Sequence, residues 1–192
     1  MVSKLDTLFY LGAAAGELKN HKFFNKHTIV GYLRIEGGDT FLMKVYFIRH
    51  GEAMDDVENR YGGWADYPLS PKGVEQARAT GQKLKSRGVT AEVILTSPFK
   101  RAYQTAEELG KILNFPIETS VYLKERNTYG LLCGEKKDEA QEKYPELVAA
   151  YENDEPVLGY ESYDFLLQRV RKLIELLPAL GHETLILSLI HI

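Results

Sequence analysis

The chain has 192 residues, of which 44% are apolar and 27% charged, with a net charge of −3, enough for one domain with a real core. That balance excludes the general basic face that nucleic acids or membrane surfaces require, and leaves a small anionic substrate held by local charge. The single cysteine, Cys133, excludes an intrachain disulfide and a multi-cysteine metal site.

Cys133 reads as a small buried hydrophobe, and a reducing, cytoplasmic setting is compatible with it. No apolar run approaches the roughly 18 residues of a membrane helix. The apolar stretch after Lys4 is short, is interrupted by Asp6 and has a thin positive region, so a signal peptide is not expected. Residues 1–42 do not share the pattern that begins at Met43. They read as an extension outside the domain, with Met43 as the candidate natural start.

From Met43 strand and helix periods alternate. Residues 44–48 form an apolar run, the mark of a strand covered on both faces. Residues 53–69 are polar, contain Gly62, Gly63 and Pro68, and read as a loop. Ser70 is a good N-cap and Pro71 a good first helical residue, with Val74, Ala77, Gly81 and Leu84 on one face and Gly88 as the stop.

Residues 92–97 read as a second buried strand. A helix follows with Ser97 as cap, Pro98 at its start, and an inner stripe of Ala102, Ala106, Leu109 and Leu113. "FPIETS" is a short third strand. Pro145 splits the next helical stretch in two. Leu166, Val170, Leu173, Ile174 and Leu177 then recur at helical spacing, and Gly181 precedes a last apolar run, "TLILS". The alternation predicts an α/β three-layer sandwich: a mostly parallel sheet with helices on both faces.

In such a sheet ligands bind beyond the carboxyl ends of the strands. Arg49, His50, Gly51 and Glu52 occupy one such end, and Thr96 and Ser97 another, with Lys100 and Arg101 one turn into the next helix. Parallel strands bring both ends to one edge. Arginine forks match phosphate oxygens, helix starts present N–H groups to an anion, and Gly51 allows close backbone approach. This predicts a phosphate pocket. His21, His27 and His182 have no metal-ligand spacing and read as surface, as does the acidic cluster of Asp55, Asp56 and Glu58.

"VYFIRHGEA", "NRYGGWADYPLSPKG", "ILTSPFKRAYQTAE" and "LKERNTYG", in this order and spacing, resemble the histidine phosphatase superfamily over residues 43 to about 188. The resemblance implies a phosphoglycerate-mutase-like fold, with a catalytic domain at 43–188 and 189–192 outside its pattern. It implies that His50 is the nucleophile and becomes a phosphohistidine. Arg49 and Arg101 would grip the phosphoryl group, and Glu125 would protonate the leaving oxygen and then activate water. Gly51, Asp56, Asn59, Gly63, Arg126 and Tyr129 complete the implied substrate site. No metal and no cofactor are implied. The expected partner is a small phosphorylated substrate, not nucleic acid or membrane, and a homodimer is left open.

Three features depart from the family pattern, one being that "ERNTYG" is a residue longer than the mutase pattern before its Tyr-Gly. Asp56 stands six residues after His50, where the family usually has asparagine. A carboxylate there repels phosphate unless it is protonated or turned away; Asn59 is the candidate replacement. The family's last core strand leads into a histidine that completes the pocket; here that place is Leu189, and His191 comes two residues late. The terminal "LIHI" is therefore read as a non-native or truncated continuation. "GYESYDFLLQRV" resembles the family's phosphatases more than its mutases. Phosphatase is the expectation, cofactor-dependent phosphoglycerate mutase the alternative, and a catalytically impaired phosphate-binding relative a third. The bland alternative for the 59–70 segment is a turn with Trp64 packed over the core.

Overall fold

The computed structural model describes residues 18–25, 28–35 and 41–189. The apolar stretch after Lys4, His27 and His191 lie outside the described residues.

One six-stranded sheet organises the chain, in the order β1-β2-β3-β6-β4-β5: β1 (Leu18–Asn25), β2 (Thr28–Ile35), β3 (Phe41–Arg49), β4 (Val93–Thr96), β5 (Ile117–Thr119) and β6 (Thr184–Leu189). From β3 onward every pairing is parallel: β3 with β6, β6 with β4, and β4 with β5. The sheet also continues N-terminally of Met43. β2 pairs antiparallel along the whole of β3, from Thr28 opposite Ile48 to Ile35 opposite Phe41, and β1 pairs antiparallel with β2. Leu33 of β2 is fully buried in the same core as Met43.

The apolar run of β3 is buried on both sides because each face carries a helical layer. Val45 and Phe47 pack with Leu185, Leu187 and the stripe Leu166, Val170, Leu173, Ile174 of α6 (Tyr163–Leu176). Tyr46 and Ile48 pack with Ile94, Ile186, Leu84 of α2 (Pro71–Ser86) and Leu109 of α3 (Lys100–Leu113). The result is an α/β three-layer sandwich with a mixed sheet. Two short helices, α4 (Lys137–Lys143) and α5 (Pro145–Glu152), meet at Pro145 and build a satellite core with Tyr61, Leu132 and Val157.

Ser70 starts α2 as expected: its Oγ accepts the Gly73 N–H at 3.0 Å. The start of α3 differs from expectation. The helix begins at Lys100, with Phe99 as N-cap, because the Asp66 carboxylate, from a loop distant in sequence, accepts the Lys100 N–H at 2.6 Å. The 53–69 segment holds one helical turn, α1 (Met54–Val57), and is closed by a bridge between Ala53 and Leu69. Among the described residues no helix is long and apolar enough to cross a membrane.

Candidate active site

β3 ends at Arg49, and His50 follows with 8% of its surface exposed. Its ring is oriented by the adjoining backbone: Nδ1 lies 2.6 Å from the Gly51 carbonyl. A carbonyl only accepts, so Nδ1 carries a proton, and in the neutral form of the ring the lone pair is then on Nε2. The Gly51 N–H in turn donates to Thr105 Oγ1 of α3 at 3.2 Å. Gly51 itself does not line the cleft. A Cβ there would collide with the backbone of Gly73, and a Cβ on Gly73 would collide with Glu52 O. The missing side chain therefore serves the close passage of the loop after β3 against the first turn of α2, not an approach to phosphate.

The cleft at this strand end encloses about 210 Å³ and is lined by His50, Arg49, Arg101, Glu125, Asp56, Asn59, Gly63 and Tyr129. Eight of the ten residues that the sequence singled out thus meet here, segments more than 70 positions apart in the chain. Arg126 does not. Its Nε–H donates to Glu161 O at 3.0 Å, and its guanidinium lies 3.6 Å from the Tyr163 ring centre, so stacking turns it out of the cleft.

Arg101 is the most deeply set charge in this site, at 1% exposure. The loop carrying Gly62 and Gly63 wraps it: Nη2–H groups donate to Gly63 O and to Glu125 Oε2, both at 2.6 Å, and Nη1–H to Ala65 O at 2.8 Å. Gly63 is left-handed (φ 57°), and a Cβ there would press on Cys133 and Tyr129. Trp64 is 44% exposed, not packed over the core. Its indole Nε1–H donates to Glu125 O at 2.7 Å, pinning the acid's own peptide.

Glu125 keeps 15% of its side chain exposed. Burial pushes its carboxyl up to about 7; Arg101 pulls it down through charge and hydrogen bond, Asp55 raises it and Arg49 lowers it. Burial also pushes the Tyr129 phenol up, reinforced by Tyr151. The Tyr129 ring packs against Tyr61 and Tyr151 with centres 5.3 and 5.1 Å apart. Cys133 is half-buried and not a simple core residue: its thiol contacts Asn127 Oδ1 at 2.9 Å.

Asp55 was not foreseen. It reads in sequence as part of a solvated acidic face, yet it is 8% exposed, lines the cleft, and its Oδ1 is buried without a partner. Burial raises its carboxyl, against the pull of Arg101. Gly62 makes this burial feasible, because a Cβ there would collide with Asp55 Oδ2; the Gly62-Gly63 pair is the signal that could have found it. Asp56 acts locally, where its Oδ2 accepts the Ala53 N–H at 3.1 Å and caps α1. Arg60 and Lys137 add two further cations to the wall. The cleft therefore holds four cations and three carboxyls, two of them with raised pKa, a balance suited to an anion. Among the described residues no group of His, Cys, Asp and Glu could hold a metal ion. In the β3–β6 register Leu189 stands beside Arg49.

Residues 45–191 match the family model described as histidine phosphatase superfamily (branch 1). Among solved structures, an alpha-ribazole phosphatase from Shigella flexneri is 27% identical (TM-score 0.65), with 77% of this chain and 74% of that one covered. Bacillus stearothermophilus YhfR is 28% identical (TM-score 0.64), covering 77% and 73%. A mycobacterial glucosyl-3-phosphoglycerate phosphatase in complex with VO3 is 27% identical (TM-score 0.61), covering 75% and 73%.

Proposed function

The chain belongs to the histidine phosphatase superfamily, and from that premise we propose that it is a metal-independent phosphomonoester phosphatase acting through a phosphohistidine on His50. The observation that carries this reading is the orientation of His50 by the Gly51 carbonyl in the same cleft as the Arg101–Glu125 pair.

In the first step His50 Nε2 attacks phosphorus and the bond to the ester oxygen breaks. The leaving oxygen takes its proton from Glu125, whose raised pKa keeps it an acid near neutral pH. A protonated Glu125 also relaxes its hold on Arg101, so that the Arg101 charge and that of Arg49 turn to the phosphoryl oxygens. In the second step water attacks the phosphohistidine, Glu125 removes its proton, and orthophosphate and neutral His50 are regenerated. Two steps at one nitrogen replace one difficult hydrolysis.

Phosphatase is preferred over mutase because relatives of matching fold are phosphatases and because "GYESYDFLLQRV" resembles the phosphatase pattern. The two differ in product. Phosphate release from p-nitrophenyl phosphate in the presence of a chelator, with no isomerisation of phosphoglycerate, is expected; isomerisation without net phosphate release would reverse the assignment.

Leu189 favours one second reading, an impaired relative. The family resemblance places a histidine at this register position beside Arg49, and leucine supplies neither a donor nor a charge. Leu189→His is therefore expected to raise kcat/KM, by roughly 10-fold or more if it adds one transition-state donor. Unchanged turnover would show that the cleft does not use this position.

A further inference from the structure

Lys124 to Thr128, the segment that carries Glu125, has no helix or strand of its own. Its place therefore depends on what its backbone groups bond to. Besides Trp64, which holds Glu125 O, two residues outside the cleft supply such bonds. Arg169 of α6 forms a two-pronged pair with Glu161, Nε to Oε1 at 2.9 Å and Nη2 to Oε2 at 2.7 Å. Its remaining arm, Nη1, donates to Tyr122 O and Lys124 O, both at 2.7 Å. Glu161 closes the other side: its N–H donates to Asn127 O at 2.7 Å, and its carbonyl accepts from Arg126 Nε at 3.0 Å. The pair is half-buried, with 15% and 10% of the two side chains exposed, and neither residue lines the cleft. Both lie in "GYESYDFLLQRV".

A pair meant only to hold α6 in place could find carbonyls anywhere along its packing face. This one takes the carbonyl just before Glu125 through Arg169 Nη1, while the main-chain N–H of Glu161 takes the one two residues after it. We propose that Glu161 and Arg169 are positioning residues for the candidate acid, fixing the peptide on both sides of Glu125 and so the reach of its carboxyl into the cleft. The proposal rests on the reading of Glu125 as the acid. Lysine at 169 would keep the charge but lose the planar fork that serves Glu161 and the two carbonyls together.

The test uses the full chain and its Arg169→Lys, Glu161→Gln and Glu125→Gln variants. Two esters are compared by kcat/KM, which reports only through departure of the leaving group. p-Nitrophenolate leaves without a proton, whereas the alkoxide of glycerol phosphate needs one. Glu125→Gln is expected to lose activity selectively on glycerol phosphate. Arg169→Lys and Glu161→Gln are expected to reproduce that selectivity, with a loss of about 100-fold on glycerol phosphate and under about threefold on p-nitrophenyl phosphate, the scale of an angstrom-sized misplacement. A second readout needs no turnover: carboxyl NMR titration of Glu125, assigned by its disappearance in Glu125→Gln. It should move from its raised value toward the ordinary glutamate range in both variants, as Glu125, freed from its place between Arg49, Arg101 and Asp55, meets water. Equal losses on both esters, or an unmoved titration in folded variants, overturn the positioning role. A Glu125→Gln variant without leaving-group selectivity overturns instead the reading of Glu125 itself. Melting temperatures separate either result from unfolding.

Discussion

Replacing Arg101 by methionine is expected to lower the melting temperature and to remove nearly all turnover. The side chain is 1% exposed and ties Gly63 O, Ala65 O and Glu125 into one unit. Methionine fills similar volume but leaves two loop carbonyls without a donor. Breaking such a buried pair costs about 3 kcal/mol or more, roughly 6–12 °C for a chain of this size. Loss of the guanidinium also removes a donor from the developing phosphoryl charge, a further loss on the order of 10³-fold in kcat/KM. Arg101→Lys separates the two effects: it keeps a charge and loses the fork, so activity should fall more than stability. Thermal melts and phosphate release measured side by side check this. A methionine variant that melts and turns over like the parent would remove Arg101 from the site.

Glu125→Gln is expected to lower kcat/KM for alkyl phosphates by about 10²- to 10⁴-fold, the usual contribution of a placed acid. The pH profile gives the sign. Glu125 donates only while protonated, and its carboxyl is pushed up to about 7 by burial. Activity limited by this proton is therefore present below that pH and lost as pH rises through it. In Glu125→Gln the descending limb should vanish, leaving whatever pH dependence the substrate's own ionisation imposes. Arg101→Met adds a cross-check: Arg101 lowers the Glu125 pKa, so its removal should move the limb to higher pH. A limb that persists unchanged in Glu125→Gln would mean that another group carries the proton.

The parallel half of the sheet was legible because strands buried on both faces read as unbroken apolar runs: Val45–Ile48 and Ile186–Leu187 meet helices on both sides. Ser70 and Pro71 announced α2 because capping there is local. The start of α3 was not legible, since its cap is Asp66, 34 positions from Lys100. The same distinction divides the site. His50 and Arg49 follow directly from where β3 ends. Asp55 and Arg126 depend on packing: a glycine backbone beside one carboxylate, which the Gly62-Gly63 pair hints at, and a tyrosine ring beneath one guanidinium, which no local pattern encodes. β1 and β2 precede the alternating pattern, and their place is set by antiparallel pairing with β3.

Phosphoryl transfer to one imidazole is tested most directly by trapping. The full chain is mixed with a phosphomonoester radiolabelled at phosphorus, quenched in alkali during turnover, and digested. Label that is alkali-stable, acid-labile and confined to the peptide containing His50, and that is absent from His50→Ala together with phosphate release, is the expected result. Phosphate release by the parent with no such adduct, or by His50→Ala at the parent's rate, would contradict it.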